Sequence, residues 1–152
     1  MLTKDIFVKG LTNVTKENLK TYLIFVQQYF DVIDEYCVKV QETQSAIANQ
    51  KPDVTDMDAM EAIIMDKFKS DEMSRLLKDY DRAEKLTKRL KLEKNSLRSS
   101  ERDILYNLDS FDRQSNYKLY SCLKKVERDY EDLETLLEEV NKFTVERHNY
   151  RF

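Results

Sequence analysis

Chemistry in this chain would have to come from very few groups. His148, Cys37 and Cys122 are its only imidazole and thiol side chains. A helical metal centre needs paired Glu-x-x-His motifs, which one histidine cannot supply. A nucleophilic thiol needs a base held beside it, whereas both cysteines fall on apolar helical stripes, far apart, and His148 stands near a fraying end. Buried thiols in a reducing compartment are expected instead. The acids of Asp53-Val54-Thr55-Asp56-Met57-Asp58 lack the spacing, the glycine and the closing glutamate of a calcium loop, and suit the positive end of a helix. A single glycine leaves no phosphate-cradling loop. The chain is therefore expected to be no enzyme, with no catalytic residue, no metal and no cofactor.

Binding chemistry has more candidates. Residues 82–102 carry eight basic groups against three acids, and residues 127–139 carry seven acids against Arg128. A basic helical stripe using Lys85, Lys88, Arg89, Lys91 and Arg98 would suit a phosphate backbone, which makes a nucleic-acid-associated regulator the alternative reading. The simpler expectation is that the two blocks flank each other. A helical hairpin turning near residue 113 lays 82–102 alongside 124–144, where opposite charges set the register.

The first half of the chain is rich in aromatics. Tyr22, Phe25, Tyr29, Val32 and Tyr36 repeat at helical spacing, and a second aromatic group, Tyr106, Phe111, Tyr117 and Tyr120, surrounds the expected hairpin tip. Core packing is the simplest use of such spacing. The first series lies beside another apolar seam, however, and a slender chain has few helices to cover both. Tyr22, Phe25, Tyr29, Val32, Tyr36 and the tip residue Phe111 are therefore the expected partner-binding residues.

These groups must be positioned by helices. Gly and Pro contribute one residue each to 152, and charged residues make up 36% against a usual share of about 25%. Sheets and barrels need turn residues that the chain lacks. Residues 1–15 read as an apolar anchor, with Ile6, Phe7, Val8, Leu11 and Val14 around Gly10, and Thr15 is a plausible N-cap for the next segment. A first long helix spans about 16–49, with Leu19, Leu23, Val26, Phe30, Ile33, Cys37, Val40, Gln44 and Ile47 in unbroken heptad spacing. Pro52 ends it. Thr55 caps a second helix over about 56–110, with Met57, Met60, Ile64 and Phe68 on its inner face. It is either broken near Ser70 or continuous there with a shift of phase. From Met73 the seam runs Leu76, Tyr80, Ala83, Thr87, Leu90, Lys94, Leu97, Glu101, Ile104, Leu108, narrow enough to need one partner helix. After the polar cluster 109–116 a last helix covers about 116–147, with Leu119, Leu123, Val126, Tyr130, Leu133, Leu137 and Val140 inside.

The expected architecture is all-α: an elongated helical bundle, 16–152 forming one domain, with an antiparallel coiled-coil hairpin over 80–145 as an arm. The first helix packs on 56–80 and on the end of the last helix. No apolar run approaches the roughly 20 residues of a spanning helix, and no secretory or lipidation signal is read, so an intracellular protein, cytoplasmic or nuclear, is expected. The expected function is a non-enzymatic adaptor or scaffold subunit of a larger assembly. Its partners would be other helical proteins or a second copy of itself, held by helix-face docking.

Overall fold

Two short polar side chains decide where helices begin. Thr15 accepts the backbone N–H of Asn18 at 3.1 Å, while the Asn18 side chain accepts the N–H of Thr15 at 3.0 Å, a complete capping box. Ser115 accepts the N–H of Lys118 at 3.2 Å. The structure, a computed structural model, describes residues 1–10, 12–49 and 59–147, the side chains of 59–69 excepted. Its helices are α1 (Lys16–Ala48), α2 (Ala59–Asp109) and α3 (Asn116–Glu146), with short 3-10 turns at Lys4–Ile6 and Phe111–Arg113. Among the described residues there is no strand, and no helix is long and apolar enough to cross a membrane. Thr55, Met57, His148 and the side chains of Met60, Ile64 and Phe68 lie outside the described residues.

At Ser70 the helix is continuous. Ser70 and Asp71 face solvent and Glu72 pairs with Arg75 at 3.9 Å, so polar residues there cost the helix no buried partner.

Each helix buries a central row of apolar residues seven apart. These are Leu19, Val26, Ile33, Val40 and Ile47 on α1, Leu76, Ala83, Leu90, Leu97 and Ile104 on α2, and Leu119, Val126, Leu133 and Val140 on α3. Rows flanking the centre then meet the two neighbours. α1 and α2 run antiparallel: Gln44 donates to the Tyr80 carbonyl at 3.5 Å, Lys94 pairs with Asp34 at 2.6 Å, and Gln27 donates to Glu101 at 3.1 Å. α2 and α3 also run antiparallel, through Arg147 with Asp79 at 2.9 Å, Arg89 with Glu139 at 2.7 Å, and Ser100 with Asp129 at 2.7 Å. α1 and α3 are parallel. Tyr22 donates to Glu127 and Asn141 donates to Tyr36, each at 3.0 Å and each across 105 positions.

Two expectations are overturned here. α2 does not present one narrow seam. Asp79, Leu86, Glu93, Ser100 and Asn107 form a second inward row facing α3, and its polar members hide it from a search for apolar spacing. Nor does 80–145 stand clear of the first helix. α1 lies beside α2 from Tyr80 to Glu101 and beside α3 from Glu127 to Asn141, because its two seams serve two helices.

Residues before α1 lie over α1 and α3. The ring of Phe7 sits 5.1 Å from that of Phe25, 5.5 Å from that of Tyr22 and 5.9 Å from that of Tyr130, centroid to centroid. Phe25 and Tyr29 in turn lie 5.1 and 5.3 Å from Tyr130. Edge-on and tilted aromatic pairs at these distances add about 0.5–1.5 kcal/mol each to the burial itself.

The row assignment has a direct test in chemical denaturation followed by circular dichroism. Leu90→Ala, in the central row of α2, should cost about 2–5 kcal/mol. Leu92→Ala, two residues on and 66% exposed, should change stability by no more than about 0.5 kcal/mol.

Candidate functional site

The aromatic seam expected to bind a partner is occupied from within the chain. Tyr22, Phe25 and Tyr29 are buried by Phe7 and by Tyr130 of α3. Val32 and Tyr36 are half-buried against the same core, and the Tyr36 ring carries Lys39 at 4.5 Å. The chain covers both seams of α1 because residues before the helix contribute one of the covering side chains. Phe111 lies elsewhere, half-buried after α2, with the Lys16 ammonium 5.6 Å from its ring.

The basic block divides among several neighbours rather than forming one stripe. Lys85 pairs with Asp81 on its own helix at 3.0 Å, Arg89 with Glu139 on α3 at 2.7 Å, and Arg98 lies 5.0 Å above the ring of Phe30 on α1. Lys88 and Lys91 are exposed. Of these five, Arg89 alone pairs with the acidic block. Lys85 and Arg98 are drawn to their own helix and to α1, because α2 touches α1 as well as α3.

The surface that remains open and rich in anchors is at the end of the bundle where α2 leads into α3. A groove of about 420 Å³ there is lined by Asp103, Tyr106, Asn107, Lys118, Ser121, Cys122, Lys125 and Arg128. A second, of about 470 Å³, shares Ser121 and Arg128 and is bordered by Tyr117 and Tyr120. Tyr106 is 61% exposed and Tyr117 76%. The helices hold these side chains in place through the inward row of α2. Ile104 points into the core, so Tyr106 turns outward while Asn107 turns toward α3. Lys118 lies 5.9 Å from the Tyr106 ring, and Lys125 bridges Asp103 at 3.6 Å and Ser99 at 3.2 Å.

At the inner side of this groove is Asn107, buried, with a side-chain oxygen that has no hydrogen-bond partner. Cys122 lies beside it. Burial pushes this thiol above its ordinary range and outweighs the lowering from the Asn107 hydrogen bond, while Asp103 raises it further and Lys125 lowers it. Burial also raises the Cys37 thiol. Both are thiols rather than thiolates at neutral pH, which makes neither an activated nucleophile. Among the described residues no group of His, Cys, Asp or Glu side chains is arranged to hold a metal ion. The arrangement is suited to contact, with rings for apolar area, cations for a carboxylate and one buried acceptor for a donor. Tyr106, Tyr117 and Phe111 were legible as a tip group. Asn107, Cys122 and Arg128 were not, since only the inward turn of the 100–107 stretch brings them to one groove.

The same inward row holds an acidic knot. Ser96 and Ser100 donate to the two oxygens of Asp129 at 3.1 and 2.7 Å. Burial raises the Glu93 carboxyl above the usual carboxylate range, and the charges of Asp132 and Asp129 raise it further against a lowering by Arg89. A carboxyl held up in the folded state binds its proton more tightly there than in the unfolded chain. Its ionisation therefore removes stability as pH rises from the ordinary carboxylate range through the raised value. Glu93→Gln should be more stable than wild type at pH 7 in urea denaturation. The difference should shrink as pH falls through that window, and a constant difference would contradict the assignment.

Comparison of this chain with protein-family models, with curated proteins and with solved structures finds no match.

Proposed function

We propose that this chain is a non-enzymatic helical adaptor of a larger intracellular assembly. In this reading α2 and α3 act as an antiparallel coiled-coil hairpin that presents its aromatic end to a partner protein. One observation carries the proposal: Tyr106 stands exposed over a groove whose inner side holds a buried, unpaired acceptor, and Tyr117 stands exposed over the groove that adjoins it at Ser121 and Arg128. Tyrosines are large contact residues with few rotatable bonds, and truncating such an anchor in an interface commonly costs 2 kcal/mol or more. An unpaired buried oxygen such as that of Asn107 is an energetic cost until a donor reaches it. The partner that fits would bring apolar side chains against Tyr106 and Tyr117, a carboxylate toward Lys118 and Arg128, and an N–H or O–H for Asn107. The nucleic-acid alternative has less support, since Lys85, Arg89 and Arg98 are each engaged within the chain.

The test compares full-length wild type with Tyr106→Ala/Tyr117→Ala as immobilised baits in extract from the native source, read by quantitative mass spectrometry. Both tyrosines are exposed, so the helical circular-dichroism signal and its melting should not change. A defined set of proteins should be retained by wild type and fall about tenfold or more with the variant. Lys88→Glu should retain that set. Equal retention of every protein by wild type and the double variant rejects the reading.

A further inference from the structure

The segment before α1 is held largely through its main chain, which side chains of α1 and α3 grip at three places. At Leu2, the backbone N–H donates to Gln28 Oε1 at 2.9 Å and Gln28 Nε2 donates back to the carbonyl at 2.6 Å. At Val8, the N–H donates to the Tyr22 hydroxyl at 2.7 Å and Lys124 Nζ donates to the carbonyl at 3.3 Å. A third clamp holds the stretch nearest the helix, where Asn116 donates to the Thr12 carbonyl at 3.0 Å and accepts the Val14 N–H at 2.7 Å. The Val8 clamp is itself braced, since Tyr22 donates to Glu127 at 3.0 Å and Lys124 pairs with Glu127 at 2.9 Å. Between the Leu2 and Val8 clamps, Phe7 enters the cage of Tyr22, Phe25 and Tyr130.

This is how a groove binds a peptide, with main-chain groups read by polar side chains and one aromatic anchor in a pocket. The groove between α1 and α3 has its ligand in cis. Past the Val8 clamp the hold lapses at Lys9 and Gly10. Lys9 and Gly10 are exposed and, among the described residues, make no hydrogen bond or ion pair to the helices. Gly10 has a φ of 73°, in the left-handed region, and a Cβ built on it would meet nothing within 4 Å. The closed position of residues 1–8 thus depends on one backbone conformation that glycine alone adopts freely.

We infer that the α1–α3 groove is also an intermolecular site whose occupant is residues 2–8 of a second copy of this chain, exchanged reciprocally about the Gly10 hinge. The second copy is the occupant favoured here because its segment reproduces every clamp and the Phe7 cage without change. Exchange then leaves the contact energy of the groove as it was, and is decided by the hinge and by concentration. Asn116 keeps residues 12–14 in place on their own bundle in both forms. This surface borders the second groove of the α2–α3 end through Lys124 and Glu127 but uses neither Tyr106 nor Tyr117, so it stands or fails independently of the adaptor reading.

The hinge provides the test. Gly10→Ala adds a side chain in open space, so its principal effect is to penalise the left-handed conformation of the closed segment. Full-length wild type and Gly10→Ala are examined by sedimentation equilibrium across a wide concentration range, with circular dichroism confirming equal helicity. Gly10→Ala should raise the dimerisation constant by about tenfold or more, because two hinges are relieved per dimer. Mixing carbon-13-labelled with unlabelled Gly10→Ala chains should give isotope-filtered contacts between the Phe7 ring of one chain and the Tyr130 ring of the other. A Gly10→Ala protein that stays monomeric throughout overturns the inference. So does a dimer lacking the interchain Phe7–Tyr130 contact, since it would be joined at another surface.

Discussion

Every helix in a three-helix bundle has two neighbours, and the rest of this structure follows from that constraint. A helix facing one partner needs only a narrow stripe, but one facing two must show three adjacent rows to the interior. Here the middle row is apolar in all three helices, and the rows beside it differ in character at each contact. The α1–α3 contact is aromatic, with Tyr22, Phe25, Tyr29 and Tyr130 stacked along it. The α1–α2 contact is mixed, with Phe30 under Arg98 and Lys94 against Asp34. The α2–α3 contact is the most polar, and carries Asp79 with Arg147 and Asp129 with its two serines. Non-directional burial in the centre supplies most of the driving force, while directional pairs at the edges fix which helix lies where.

That division explains what could be read from the residues. The helices announced themselves through strict apolar spacing and through scarcity of glycine and proline, and Thr15 was legible as a cap because its side chain acts within four residues. Partner choice was less legible. Asp79, Glu93, Ser100 and Asn107 look like solvent-facing residues on any apolar scale, yet they turn inward because Leu86 and Ile104 fix the phase of the helix. Lys94 could have joined the acidic block of α3 and instead reaches Asp34 on α1, a third element that heptad spacing within α2 does not register. The expectation that α1 would be left half-covered failed for a related reason. It counted helices, and although Phe7 was read as part of an apolar anchor, spacing alone did not place its ring on the aromatic seam of α1.

The α2–α3 seam also shows polar groups retained at an energetic cost. Glu93 would be replaced without loss of packing by an uncharged residue of its shape, and the unpaired oxygen of Asn107 stabilises nothing in the isolated chain. Costs of this kind are tolerated where the centre of the bundle supplies stability in excess. Glu93 and Asn107 both lie on the α2–α3 face, while the α1–α3 face has the hydroxyls of Tyr22 and Tyr36 and the backbone groups of Leu2 and Val8 matched. The molecule thus has one saturated side and one side with unused hydrogen-bonding capacity.

The parallel alignment of α1 and α3 bears on how the chain reaches this state. α2 and α3 are joined by a turn of six residues, Ser110–Ser115, so their pairing is local and the loop between them is inexpensive to close. The aromatic contact of α1 with α3 joins residues 105 positions apart. If α2 and α3 pair first, they present α1 with a ready-made surface instead of an open coil, and the effective loop is far shorter than the numbering suggests. Folding speed would then be governed by contact order as it stands after the first pairing, and substitutions in the Phe25–Tyr130 cluster would accelerate unfolding more than they slow folding.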